Sequence, residues 1–168
     1  MAESTYEQIA SGDGARVIAA VAGVDRVPLA PLLADAKVAA FAEFHRRLEG
    51  EGHSRIRDVH GCVFRFIDSE GSRLTTLAER SGFTKQAVGE IVDELEELGY
   101  VERVPDPSDR RAKIIRLTAL GADAYRAGLR IFDDIERELG ERFGAERVAV
   151  LREVLEQITD EIAIPSHV

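Results

Sequence analysis

The side chains with most chemistry to offer fall in two short runs. Thr84, Lys85, Gln86, Gly89 and Glu90 form the first, and Asp109, Arg110, Arg111 and Lys113 form the second. Neither run is a set for covalent catalysis. A glutamine amide has the donor and acceptor to bond adenine bidentately, and a glutamate accepts from cytosine N4. A helix N-terminus attracts phosphate, and arginine suits a narrow, electronegative minor groove. On an isolated helix the first run would read as an ordinary solvated face. An Asp109–arginine pair would read as a surface ion pair worth about 0–1 kcal/mol. Taken together, the two runs point to double-stranded DNA.

The segments around these residues supply a scaffold. Thr76 with Glu79 has the spacing of a capping box, which predicts a helix start there. Ser81-Gly82-Phe83 should stop that helix, because glycine most readily takes the left-handed position after a helix. Thr84 can cap the next helix. There Val88, Ile91, Val92, Leu95 and Leu98 make one apolar stripe, ended by Gly99. Two helices joined by a tight glycine turn make a helix-turn-helix. Tyr100 to Val104 and Lys113 to Leu117 then alternate as half-buried strands. Between them Pro105 to Arg111 is rich in turn formers, so the arginines stand at the tip of a hairpin. Arg73-Leu74 is predicted as a short third strand. A β-ribbon directly after a helix-turn-helix is a winged helix.

Here the chain resembles a known family. Asp109-Arg110-Arg111, followed by Ile115-Arg116-Leu117-Thr118 and Gly121, is similar to the wing signature of MarR-type regulators. Leu77-Ala78, Val88, Val92-Asp93, Leu95-Glu96, Gly99-Tyr100-Val101 and Arg103 fit the same pattern. The resemblance covers Ser72 to Gly121. It implies that Asp109 holds the wing tip by a salt bridge while Arg111, or Arg110 in its place, enters the minor groove. It also implies a homodimer formed through N- and C-terminal helices, and repression relieved by a small, often aromatic, ligand. By helix order that ligand would lie near Phe41, Phe44, His60 and Phe64. Glu90 departs from the family, where a basic or hydroxyl residue is common, and a carboxylate near phosphates repels. Gly89 costs about 1 kcal/mol of helix propensity against alanine but leaves room for base edges.

The net charge is −9, with a pI of about 5.0, which at first sight sits badly with nucleic acid. Its distribution matters more. From Arg103 to Arg116 there are five basic and two acidic side chains, a local surplus of three positive charges. Charged residues at 32% and hydrophobic ones at 45% describe a globular chain rather than a disordered one. No run is long and apolar enough to span a membrane, the start MAESTYEQIA lacks a signal core, and the single cysteine gives no disulfide framework. These features predict a cytoplasmic protein.

The expected architecture is mainly α, a winged helix-turn-helix flanked by dimerising helices. Residues 1–27 form an N-terminal extension, with a short helix over Ala15 to Ala22. Residues 28–70 hold two helices. The first carries Leu29, Leu32, Leu33, Ala36, Ala40, Phe44 and Leu48 on one face; the second, through Ile56, Val59, Val63, Phe66 and Ile67, ends at Gly71. Residues 71–117 are the DNA-binding region. Residues 118–168 hold two more helices, capped by Thr118 and divided at Gly144. Their apolar surplus, including Leu129, Phe132, Val150 and Val154, asks for a partner.

Cys62 lies in an apolar stripe without an adjacent cation, which reads as a buried structural thiol. His45, His53 and His60 match no zinc spacing; His53 is placed on a loop, and His60 at the dimer interface or effector cavity. No phosphate loop, nucleophile elbow or metalloprotease motif appears. No enzyme, cofactor or metal is therefore expected. Two alternatives stay open: a winged-helix interaction module without DNA binding, suggested by the acidity and Glu90, and a thiol-based redox regulator.

Overall fold

The computed structural model describes residues 27–161, with the Arg110 side chain also outside the described positions. The expectations for residues 1–26, including the helix at Ala15 to Ala22, lie outside the described residues, as does the end of the last helix at Ile162. Helix α1 (Leu29–Gly50) opens the described chain, entered from Pro28, whose fixed φ of −58° suits a helix start. A 3-10 turn (Asp58–His60) and the four-residue helix α2 (Gly61–Phe64) follow. Next come β1 (Ser72–Arg73), α3 (Leu74–Ser81), α4 (Lys85–Glu97), β2 (Val101–Asp106) and β3 (Asp109–Leu117). Helices α5 (Ala119–Phe143) and α6 (Ala145–Glu161) close it.

The helix-turn-helix is α3 and α4. Gly82 takes φ 72° and Gly99 φ 80°, a left-handed conformation that costs glycine no Cβ clash. Thr84 caps α4, its Oγ1 accepting the Ala87 N–H at 3.2 Å. The wing sheet is antiparallel in the order β1-β3-β2, with Val101 opposite Leu117 and Arg103 opposite Ile115. Pro105 is tolerated because β2 is an edge strand. Register slips between Pro105 and Asp106.

Three expectations need correction. Helix α3 begins at Leu74, not at Thr76, and has no side-chain cap; Arg73 stands at its cap position in an extended conformation. The third strand accordingly ends at Arg73, and Leu74 turns its side chain toward the core as a helical residue. The stripe from Ile56 to Ile67 does not make one helix. His60 Nδ1 accepts the Arg57 N–H, tightening the chain into a 3-10 turn. Beyond Phe64, Phe66 N–H bonds to the Val63 carbonyl, a three-residue closure, and the chain leaves the helix.

One core joins these elements. Val63, Leu77, Val88, Val92, Leu95 and Ile115 are almost wholly buried, so α2, the helix-turn-helix and the sheet share it. Helix α5 reaches this core through a close approach: a Cβ at Gly121 would lie 1.9 Å from the Tyr100 carbonyl oxygen. Thr118 fixes the same junction, donating to the Gly99 carbonyl at 2.6 Å and accepting the Gly121 N–H at 3.1 Å. Helix α6 differs: none of its residues is buried, and Val150, Leu151, Val154 and Leu155 are exposed.

Candidate nucleic-acid interface and neighbouring cleft

Helix α4 presents two different faces. Val88, Ile91, Val92 and Leu95 are buried, while Thr84, Lys85, Gln86 and Glu90 are exposed at its start. Gln86 Nε2 donates to Glu90 Oε1 at 3.2 Å, so the amide is held with its carbonyl oxygen turned elsewhere. A Cβ at Gly89 would meet only Leu74 Cδ2, at 3.8 Å, so packing inside the protein does not require glycine there. The rest of the helix is acidic, but much of that charge is answered. Asp93 and Glu96 both pair with Arg103 of β2, and Glu94 pairs with Arg57.

That pairing changes the reading of the wing. Of its five basic residues, Arg103 is held by the two carboxylates of α4 and Arg116 by Glu102, at 2.8 Å. Arg111 and Lys113 are exposed, and no carboxylate pairs with either among the described residues. The positive surplus read from the sequence therefore concentrates at the hairpin tip. The side chain of Arg110, a third candidate contact, lies outside the described positions.

Two aspartates hold the wing. Asp109 Oδ1 accepts the Arg111 backbone N–H at 3.0 Å, and among the described side chains it makes no salt bridge. Asp106 does make one. Its Oδ1 accepts the Ser108 N–H at 2.8 Å and hydroxyl at 2.7 Å, while Oδ2 accepts Arg73 Nε at 2.7 Å. The Ser108 bonds, then Arg73, hold the Asp106 carboxyl down at about 2. Asp106, Pro107 and Ser108 lie among the turn formers of the hairpin, and the Asp106–Ser108 bonds make an Asx turn there. Arg73, far upstream, carried no such signal.

Beside this surface lies a cleft of about 550 Å³ between α1, the 56–66 segment, the helix-turn-helix turn and α5. Phe41, Phe44 and Phe64 line it. Phe44 stacks on Phe132 of α5 with centroids 4.3 Å apart, and Phe83, in the turn entering α4, reaches the same space. His60 does not line it. That ring is fully buried behind the wall, facing Glu94 Oε2 at 3.3 Å. Burial pushes its pKa down. His45 takes the place expected for His60, bonded to Asp58 at 2.5 Å on the cleft wall. Lys37, Arg57 and Arg65 bring cations to the wall. His53 lies on its loop and is buried there, with Nδ1 3.3 Å from the Tyr100 hydroxyl. Cys62 is buried and burial raises its thiol pKa.

A model described as the MarR family matches residues 56–112, spanning α2, the helix-turn-helix and the wing tip. Over 88 residues the chain is 34% identical to the transcriptional regulator HosA of Escherichia coli O111:H-, covering 51% of this chain. The match to the MarR family thus lies over the helix-turn-helix and the wing. The chain spans 65% of the length of that HosA protein. Its fold is that of solved structures of this type. It is similar to the transcriptional repressor CouR bound to a 23-mer DNA duplex, with TM-score 0.65 and 24% identity over 79% of this chain and 92% of that one. CouR from Rhodococcus jostii RHA1 bound to p-coumaroyl-CoA matches with TM-score 0.62 and 26% identity, covering 83% and 94% of the two chains. No helix among the described residues is long and apolar enough to cross a membrane.

Proposed function

We propose that this protein is a DNA-binding transcriptional regulator that acts as a homodimer and represses until a small aromatic ligand enters its cleft. One observation carries the DNA reading. The start of α4 offers unburied polar side chains beside a wing whose tip cations, Arg111 and Lys113, have no carboxylate partner among the described residues, while the charges behind them are neutralised internally. Thr84, Lys85, Gln86, Gly89 and Glu90 would face the major groove, and Arg111, with Arg110 and Lys113, the backbone and minor groove.

The dimer reading rests on α6 and the start of α1. Leu29, Leu32, Phe143, Val150, Leu151 and Leu155 are all exposed, and exposed apolar surface of this extent marks an association site. Two-fold symmetry would set two α4 helices about 34 Å apart, one turn of duplex. The ligand reading rests on the aromatic walls and rim cations of the cleft, and on the p-coumaroyl-CoA bound to a similar protein. Cytoplasmic location follows from this reading.

The alternative of an interaction module draws on the acidity of α4. A gel shift against fragments selected from genomic DNA, repeated across a salt series, tests the choice: a regulator shifts a defined fragment with steep salt dependence, and a module that has lost DNA binding shifts none. The redox alternative needs an accessible thiolate, and the buried, raised Cys62 argues against it.

A further inference from the structure

The turn at residues 57–60 is held from two sides. Asp58 binds His45 of α1 at 2.5 Å. Arg57 and His60 both address one oxygen of α4, Glu94 Oε2: the Arg57 guanidinium bonds to it, and His60 Nε2 faces it at 3.3 Å. Because His60 Nδ1 accepts the Arg57 N–H at 3.1 Å, the neutral ring carries its proton on Nε2, toward the carboxylate. That nitrogen is wholly buried and has no other partner. Arg57 meanwhile lines the cleft and keeps more than half of its side chain exposed.

From this geometry we infer that Glu94 is a positioning residue, and that Arg57 is the latch through which an anion in the cleft releases α4. The inference rests on reading the cleft as an effector site. A guanidinium has five donors in a planar fork and prefers a bidentate carboxylate. In this structure it meets Glu94 through a single nitrogen, Nη2. An anion within the cleft can offer the bidentate geometry that Glu94 does not. Once Arg57 turns to it, Glu94 keeps only the longer His60 approach, and the C-terminal half of α4 loses its ion pair with the cleft wall, which frees the helix to shift along with its exposed start. Asp58 and His45 keep the turn fixed to α1, so the displacement falls on α4 rather than on the turn.

The test uses the full chain, a labelled duplex selected by the wild type, and benzoate as the anion with benzamide as its uncharged counterpart, at constant ionic strength. Benzoate is expected to weaken wild-type DNA binding by about tenfold while benzamide leaves it unchanged, a size ordinary for coupling between sites. Glu94→Gln frees the guanidinium, so it should bind benzoate more tightly than wild type, yet its DNA affinity should no longer respond. Arg57→Gln should lose both benzoate binding and response. A Glu94→Gln protein that responds as wild type does, equal effects of benzoate and benzamide, or a DNA-binding wild type indifferent to benzoate would each overturn the latch. Failure of the wild type to bind any duplex would instead remove the regulator reading. The benzoate titrations on protein alone would still report whether Glu94 holds Arg57: tighter binding to Glu94→Gln supports it and equal binding overturns it.

Discussion

Arg73 Nε donates to Asp106 Oδ2 at 2.7 Å, and the two residues stand 33 positions apart. The bond ties the entrance of α3 to the far end of β2, so the wing tip is aimed from the base of the helix-turn-helix. The Asp106 carboxyl is held at about 2, against about 3.9 in an unfolded chain. A folded-state pKa below the unfolded one means that the unfolded chain takes up protons first. The stabilisation is therefore complete above about pH 4 and is lost as pH falls from about 4 to about 2. Denaturant midpoints of wild type and Asp106→Asn should differ at neutral pH and converge across that window. Parallel curves down to the acid end of the window would show that the carboxylate is not the anchor.

The exposed wing cation and the capped helix start should fail in different ways. Arg111→Ala should weaken binding to selected and scrambled duplexes by similar factors, and should reduce the log–log salt slope by about one for each phosphate it no longer neutralises. Gln86→Ala should cost about 1–3 kcal/mol on the selected site, relax preference at one base pair, and leave the slope nearly unchanged. Anisotropy titrations at several salt concentrations separate the two. Wild-type behaviour of Arg111→Ala on both duplexes would move the interaction-module reading ahead.

Gly121 is required by close packing rather than by backbone conformation. A methyl there would meet the Tyr100 carbonyl oxygen at 1.9 Å, a backbone atom that cannot swing away. Gly121→Ala should destabilise the fold by about 3 kcal/mol, the upper part of the ordinary range for overpacking. Gly89→Ala has only Leu74 Cδ2 at 3.8 Å to meet, and should raise stability by up to about 1 kcal/mol through helix propensity. Urea unfolding of the two variants should shift the midpoint in opposite directions.

The exposed face of α6 predicts assembly. Leu151 and Leu155 are respectively 51% and 38% exposed on a helix with no buried residue, an arrangement that stays costly without a partner. Sedimentation at micromolar protein should show a dimer for the wild type and a folded monomer for Leu151→Glu with Leu155→Glu. A dimer that survives both charges would place the interface elsewhere.

Local rules made the helix-turn-helix and wing legible from the sequence. Thr84 and Thr118 cap helices, Gly82 and Gly99 turn left-handed, and the stripe from Val88 to Leu95 goes inside. Each of these depends on partners within a few positions, so spacing carries the information. The same locality misled where a longer-range interaction competed. The Thr76–Glu79 cap spacing lost to the pairing of Ser72 and Arg73 with β3, which delivers the chain into α3 two residues early. What only the tertiary structure decided is who answers each charge. Asp106 pairs with Arg73 from the base of the helix-turn-helix, Arg103 is held by Asp93 and Glu96, and His60 turns from the cleft to Glu94 while His45 takes its place. An ion pair depends on separation in space, and chain folding sets that separation between residues whose sequence neighbours give no sign of it.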